Sequence, residues 1–240
     1  MKNNKPCGFT LIEMSIVLIV ISLILAGVLK TVGVQRQQLK RDETRQQLET
    51  IREALIGFAL TSGRLPCPDT GIDGLEDFNG GASGPPPQDC LNDEGWVPHV
   101  DIGVGNRDAW GSRFRYRVTG TNDAPINSFT DDPIAPAISS FSVADVGDIT
   151  VNDEAGNSIA LGIPAIVISY GENARATPVG CTTGLSASEI ENCDNETTST
   201  NSTFISSFYS NVTNQEFDDL VIWIPLTILK ARMIEAALLP

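Results

Sequence analysis

Residues 9–29 read FTLIEMSIVLIVISLILAGVL. At about 1.5 Å of rise per residue, a helix of this length and apolarity is long enough to cross a bilayer once. Glu13 is the one ionisable residue in the stretch, and burying its carboxylate near the end of a membrane helix costs on the order of 1 to 3 kcal/mol. Two interpretations stay open: the carboxylate reaches the lipid headgroups or is protonated, or a neighbouring molecule supplies the opposite charge.

The eight residues before this stretch, MKNNKPCG, end in Gly8, and FTLIE follows directly. Together these residues resemble the type IV prepilin signature. The resemblance implies that a prepilin peptidase cuts between Gly8 and Phe9 and methylates the new N-terminus, so that residues 1–8 are a leader. It also implies that Glu13 meets the α-amine of a neighbouring subunit, which would supply the missing partner charge at a lower cost than either ion bears alone.

Further partners follow from the same resemblance. They are other pilin or pseudopilin subunits, an assembly platform in the bacterial inner membrane and membrane lipid, with a single-pass chain whose head lies in the periplasm. An ordinary secretory signal is the competing interpretation, because Lys2 and Lys5 precede the apolar run. A carboxylate within that run and the lack of an A-x-A site count against it.

The sequence after the apolar run is rich in helix formers and has no proline before Pro66. We predict one helix from Phe9 to the neighbourhood of Gly63, in which residues 30–62 form a stalk that continues into the head. Apolar residues recur at helical spacing only in its second half: Leu48, Ile51, Leu55, Phe58 and Ala59. A break into two helices near Gly33 is the alternative, because glycine destabilises helices.

Residues 63–240 are assigned to a periplasmic head. β-Branched and aromatic residues predict strands at 113–118, 165–170 and 220–224, and helical spacing of apolar residues predicts a terminal helix over 226–237. The predicted fold is therefore α+β and pilin-like, with the long N-terminal helix packed against an antiparallel sheet.

Two segments of the head resemble the major pseudopilins of type II secretion. DAWGSRFRYRV carries their D-x-W-G-x-x-aromatic-x-Tyr element at Asp108, Trp110, Gly111, Phe114 and Tyr116. FDDLVIW resembles their closing region, and the resemblance implies a calcium-binding loop before the last strand, with Asp218 and Asp219 as candidate ligands. A cysteine-bounded, Ser/Thr-rich loop replaces the usual Gly-rich acidic one, so a solvated strand entry is the alternative.

A second acidic segment, DTGIDGLED, offers oxygen ligands of the kind that hard cations take. Its candidates are Asp69, Asp73, Glu76 and Asp77. The EF-hand spacing is missing, and a plain solvated loop is the alternative. No cofactor is required by these patterns, and calcium is the candidate that they suggest.

Five cysteines are present, and Cys7 lies in the predicted leader. The four that remain allow three connectivities, and the short loops favour the pairs Cys67 with Cys90 and Cys181 with Cys193. Export to an oxidising compartment favours disulfides over the alternative of four reduced thiols. Neither pair has the spacing of a zinc site.

The chain has 16 Lys+Arg against 30 Asp+Glu, a net charge of −14. Such an acidic protein lacks the basic surface that a nucleic-acid partner needs. Arg107, Arg113, Arg115 and Arg117 could form a local basic patch, but alternate arginines predict the solvated face of a strand. No hydrolase or transferase motif is present, and His99, the only histidine, has no identifiable Cys or Ser partner.

These patterns predict a structural subunit rather than an enzyme: a minor pilin or pseudopilin of a type IV pilus or type II secretion filament, assembled through its N-terminal helix. The alternative is a solitary membrane-anchored periplasmic binding protein or enzyme that shares the same anchor.

Overall fold

The computed structural model describes residues 8, 10–78, 90–119, 129–131, 139–173, 185–194, 202–213 and 215–239, without the side chains of residues 25–32. Two residues of the predicted sites, Phe9 and Cys181, lie outside the described residues, as do residues 1–7 of the predicted leader. The chain divides into two compact units, Met1–Asp42 and Glu43–Pro240.

The first helix, α1, runs over Leu11–Ser62 without interruption. It passes through Gly33, so the single-helix prediction holds and the two-helix alternative is wrong. Gly63 then takes a φ of +75° and donates from its backbone N–H to the carbonyl of Ala59 at 2.9 Å. A left-handed residue at this position closes the last turn at no steric cost only if it is glycine.

The N-terminal part of α1 presents exposed apolar side chains. Leu11 is 92% exposed and Leu23 is 70% exposed, and the large apolar residues between them are all close to half exposed or more. Within the described residues, no helix combines the length and the apolar character needed to cross a membrane.

The second unit contains nine strands and two shorter helices among its described residues. The strands are β1 Glu94–Trp96, β2 Arg115–Val118, β3 Ile149–Asn152, β4 Ser158–Ile163, β5 Ala165–Ser169, β6 Thr203–Ile205, β7 Ser210–Val212, β8 Gln215–Phe217 and β9 Leu220–Trp223, and the helices are α2 Ala187–Asp194 and α3 Leu226–Glu235. The three predicted strands correspond to β2, β5 and β9, and the predicted terminal helix to α3. The other six strands and α2 were not predicted.

The strands form one antiparallel sheet and two smaller ones. The larger sheet has the order β1-β2-β5-β9, with every neighbouring pair antiparallel. A second sheet, β4-β3-β6, contains one parallel pair between β3 and β6, and β7 with β8 forms a hairpin. The α+β prediction is therefore confirmed at the level of helices with mostly antiparallel sheets.

The larger sheet is buried on both faces. On one face, Tyr116 and Val167 pack with Leu48 and Leu55 of α1 in the main core. On the other face, Ile166 and its neighbours pack with the second sheet in a separate apolar cluster. Burial on both faces explains why β5 reads AIVIS rather than alternating with polar residues.

This two-sided burial corrects the prediction for the arginines of β2. Arg115 and Arg117 are only 8% and 2% exposed, because they share the face of the sheet that the second sheet covers. Each is compensated by a carboxylate: Arg115 Nε lies 3.1 Å from Glu94, and Arg117 Nη2 lies 3.0 Å from Asp148. The expected solvated strand face is therefore wrong, since buried guanidinium groups need such partners.

Candidate functional site

The segment that follows Gly8 begins α1 with a reciprocal pair of hydrogen bonds. The backbone N–H of Glu13 donates to Thr10 Oγ1, and the backbone N–H of Thr10 donates to Glu13 Oε2, each at 3.4 Å. This is the arrangement of a capping box, which satisfies two backbone donors at a helix start. The Glu13 carboxylate thus lies in the first turn, where a negative charge is also favoured by the helix dipole.

Glu13 has no cationic partner within the described part of the chain. The capping bonds position its carboxylate on a helix whose neighbouring side chains, Leu11 and Ile12, are 92% and 70% exposed. An exposed apolar surface of this kind is typical of a site that contacts lipid or another protein surface. Within either environment an unpaired carboxylate favours an opposite charge close by.

A second group of residues converges in the head. Glu189 from α2 and the consecutive Asp218 and Asp219 place one ligand oxygen each within 4.8 Å of one another. Asp218 and Asp219 lie between β8 and β9, so the start of the last strand and the short helix α2 position the three carboxylates together. The sequence predicted two of these residues as candidate ligands, and the structure adds Glu189.

The residue pattern did contain a signal for Glu189. Ser186 and Glu189 have the S-x-x-E spacing of a capping box. In the structure the Glu189 N–H donates to Ser186 Oγ at 3.3 Å, and the Ser186 N–H donates to Glu189 Oε2 at 3.2 Å. Glu189 Oε1 then accepts from the backbone N–H of Asp218 at 3.1 Å, so the cap of α2 is joined directly to the carboxylate cluster.

Burial makes the cluster electrostatically costly when it is ionised. Burial raises the pKa of Asp218 to about 6, although backbone N–H groups of Asn173 and Glu172 donate to its carboxylate. Burial also raises the pKa of Asp219 well above its usual range, opposed by a hydrogen bond from Asn192 and reinforced by the charges of Glu189 and Asp218. A bound cation would remove this cost.

One atom of the cluster is incompletely satisfied. Asp218 Oδ1 is buried and has no hydrogen-bond partner. Buried polar atoms are nearly always paired, so such an atom fits a site for an ion or a water. A cleft of about 190 Å³ lies beside the cluster and is bordered by Asp219 together with Arg45 and Ser206. The three carboxylates therefore have the chemistry that calcium prefers.

The four acidic residues of the segment after Cys67 do not form one ligand set. Asp69 Oδ2 accepts from the Gly74 N–H at 2.9 Å, and Asp73 Oδ1 accepts from the Leu75 N–H at 3.1 Å. Glu76 pairs with Arg64 at 2.6 Å. Asp77 Oδ2 accepts from the hydroxyl and the backbone N–H of Thr70. These carboxylates hold the loop by hydrogen bonds to its own backbone and to Arg64.

The disulfide between Cys67 and Cys90 is formed, and it joins the segment after α1 to the residues that precede β1. Cys193, at the end of α2, is also disulfide-bonded. Cys181, its predicted partner, lies outside the described residues, so the second pairing stays a prediction.

Residues 3–29 match the model of the prokaryotic N-terminal methylation motif. This is the type IV prepilin-like signal, so the resemblance inferred from Gly8, Phe9 and Glu13 is confirmed at the level of the motif, which supports a type IV pilin-like protein. No curated protein and no solved structure matches the chain.

Proposed function

We propose that this chain, whose residues 3–29 carry the type IV prepilin-like signal, is a structural subunit of a type IV pilus or type II secretion filament. The match to the motif is the observation that carries the proposal. In this proposal prepilin peptidase cleaves after Gly8 and methylates Phe9, and the protein acts by assembly rather than by catalysis.

The N-terminal part of α1 holds the subunit in the bacterial inner membrane as a single span before assembly, and in the filament core afterwards. Its exposed apolar side chains, such as Leu11 and Leu23, support this assignment. Apolar packing against neighbouring helices supplies cohesion in the filament, and lipid supplies it before assembly.

In the same proposal, Glu13 aligns each subunit with its neighbour. Its carboxylate is fixed in the first turn by the Thr10 cap and lacks a cation in the described part of its own chain. The α-amine that cleavage creates on Phe9 of another subunit would neutralise it, and a charge pair in an apolar core is strongly favoured over either ion alone.

The head is a pilin-like periplasmic domain in this proposal. The second half of α1 packs on an antiparallel sheet through Leu48, Ile51 and Leu55, all at most 2% exposed. This arrangement supports a minor pilin or pseudopilin, in which an assembly platform and other subunits are the partners.

Intact-mass measurement of protein extracted from membranes that contain prepilin peptidase tests the processing step. The expected chain begins at Phe9 and carries one added methyl group. A chain that retains Met1, or that is cut beyond residue 20, contradicts the proposal.

Replacement of Glu13 separates a filament subunit from a solitary membrane-anchored receptor or enzyme. A Glu13→Ala subunit is expected to be cleaved normally but to assemble poorly, whereas Glu53→Ala, an exposed carboxylate on the same helix, leaves assembly unchanged. Normal assembly of Glu13→Ala contradicts the filament role and favours the solitary protein.

A calcium ion at Glu189, Asp218 and Asp219 is a second element of the proposal. The buried, unbonded Asp218 Oδ1 supports it, and the ion would cross-link α2 to the entry of β9. Calcium at millimolar concentration is expected to raise the melting temperature of the purified protein at pH 7, and magnesium to do so less. An unchanged melting temperature in calcium contradicts this element alone.

A further inference from the structure

Four apolar side chains lie exposed on the head where three loop segments meet. Their exposed fractions are 75% for Ile72, 43% for Leu75, 48% for Leu91 and 55% for Val100. We call these four residues the loop patch. Backbone hydrogen bonds join the segments, since Val100 N–H donates to the Gly74 carbonyl at 3.0 Å and Leu91 N–H donates to the Asp77 carbonyl at 2.9 Å.

Several contacts hold the backbone that carries the loop patch. Gly74 has a φ of +84°, and a Cβ at this position would lie 2.2 Å from the His99 ring, so only glycine fits there. The buried carboxylate of Asp69 accepts from the Gly74 N–H, and the Cys67–Cys90 disulfide ties the segment to the chain before β1. A surface held in this way loses little conformational entropy when a partner binds.

The loop patch is also acidic at its border. Exposed carboxylates of Asp73 and Asp101 flank it, and Asp101 Oδ2 accepts from the Glu76 N–H at 2.7 Å. The sequence of residues 69–78 contains four acidic residues and no basic residue. Arg113 approaches the Ile72 carbonyl at 3.5 Å, which leaves the acidic groups in excess around the exposed apolar side chains.

The complementary surface occurs in α1 of the same chain. Between Glu13 and Asp42 all four charged residues are basic: Lys30, Arg36, Lys40 and Arg41. Leu39 is 68% exposed and follows Arg36 by three residues, which places the two side chains on one face of the helix. Residues 1–62 carry eight basic and five acidic residues, whereas residues 63–240 carry eight basic and 25 acidic residues.

From this complementarity of charge and of apolar surface, we infer that the loop patch binds the Arg36–Leu39 face of α1 in a second copy of this chain. The inference rests on the proposed filament role, because a filament brings the helix of one subunit against the head of another. Leu39 would pack among the exposed apolar residues of the loop patch, while the basic side chain of Arg36 would lie against Asp73 and Asp101.

Site-specific photocross-linking tests the contact in the full chain, expressed in membranes with prepilin peptidase and the assembly system. A photoreactive amino acid at Leu39 is expected to cross-link to residues 71–77 or 99–101 of a differently tagged copy. A matched probe at Val34, which is 65% exposed on the opposite face of α1, is expected to give no such product.

Charge variants test the same contact without a probe. Asp73→Asn with Asp101→Asn keeps oxygen acceptors for the loop backbone but removes both charges, and the cross-linked yield from Leu39 is expected to fall about threefold to tenfold. Glu154→Gln with Glu235→Gln changes the net charge equally at exposed positions elsewhere and is expected to leave the yield unchanged. Arg36→Asp is expected to lower the yield, and combination with Asp73→Arg to restore it.

The inference is wrong if Leu39 cross-links only to lipid, to its own chain or to another protein. It is also wrong if the Asp73 and Asp101 variants leave the cross-linked yield unchanged. These results are distinguishable from failure of the filament role, because that role is tested by processing after Gly8 and by the Glu13→Ala variant. Normal processing and assembly together with an unaffected yield would reject the loop patch contact alone.

Discussion

The side-chain amide of Asn192 pairs with the backbone of Ile205 through two hydrogen bonds of opposite direction. Asn192 Nδ2 donates to the Ile205 carbonyl at 2.9 Å, and the Ile205 N–H donates to Asn192 Oδ1 at 2.7 Å. The same Nδ2 donates to Asp219 Oδ2 at 2.8 Å. One buried amide therefore attaches α2 to the free edge of β6 and to the carboxylate cluster.

Replacement of Asn192 with alanine is expected to destabilise the head by about 1 to 3 kcal/mol, because the Ile205 N–H and carbonyl would lose their partner while remaining poorly accessible to water. Chemical denaturation monitored by circular dichroism measures the change. Asn211→Ala, at an exposed position of β7, is the control and is expected to change stability by less than about 0.5 kcal/mol. Equal effects of the two substitutions would contradict a linking role for Asn192.

The ion-free head is expected to lose stability as the pH rises from about 4 to 7. The folded-state pKa of Asp218 is about 6, above the ordinary value of 3.8. The fold therefore favours the protonated form of Asp218. The contribution of this form to the free energy of unfolding is complete below the ordinary pKa and is lost as the pH rises through the folded-state pKa. The melting temperature measured in chelator across this range checks the direction.

Asp218→Asn is expected to reduce that pH dependence, since the variant lacks the titrating group but keeps an oxygen that can accept from Glu172 and Asn173. Asp153→Asn is the matched control, because the half-buried Asp153 has a lowered pKa caused by hydrogen bonds from Asn157. A slope that persists unchanged in Asp218→Asn would place its origin elsewhere in the head.

Arg117 and Asp148 are expected to respond unequally to substitution. Arg117 is 2% exposed, and its Nε and Nη1 have no hydrogen-bond partner. Asp148→Ala would leave this guanidinium buried without its anion, at a cost of about 3 to 5 kcal/mol. Arg117→Met removes the buried charge itself and is expected to cost less, while Asp148 keeps its hydrogen bond with Thr119.

Thermal unfolding of Asp148→Ala and Arg117→Met, measured under the same conditions, compares the two losses of stability. A larger loss for Arg117→Met than for Asp148→Ala would show that the aliphatic part of Arg117 and its packing, rather than charge compensation, dominate at this position.

Removal of the Cys67–Cys90 disulfide is expected to cost about 3 kcal/mol, because it closes a loop of intermediate length in the unfolded chain. The Cys67→Ser, Cys90→Ser double variant is compared with the oxidised protein by denaturation at one pH. Ser139→Ala, which removes a half-buried hydroxyl that donates to the Gly63 carbonyl, serves as a smaller local perturbation. A double variant as stable as the parent would mean that the loop is held by its other contacts, such as Arg64 with Glu76.

Much of the fold could be predicted from local pattern. The helix α1 was predicted because a continuous run of helix formers needs no distant partner to define its period. Strands β2, β5 and β9 were predicted from their β-branched and aromatic content. Of the strands that were not predicted, β1 and β7 have three residues each, which is too few to show a periodicity, and β4 is the longest strand but reads SIALGI, without a regular alternation of apolar and polar residues.

The candidate site was predictable only in part. Asp218 and Asp219 are adjacent in sequence and precede an obvious strand, but Glu189 lies 29 residues earlier, in a Ser/Thr-rich region. No local pattern relates a helix cap to a strand entry at that distance. The arginines of β2 were misassigned for a similar reason, since the second sheet that buries them is assembled from segments far along the chain.

The sequence by itself determined the prepilin-like signal at Gly8 and Glu13 and the long helix. Both are local patterns, because the motif and the helical period each depend only on residues that are close together in the sequence. Tertiary structure alone decided which charged groups are buried and which meet. Glu189 joins Asp218 and Asp219, and Arg117 meets Asp148, only because packing of α2 and of the second sheet removes water from both places. The energy of a charge depends on its surroundings more than on its neighbours in sequence.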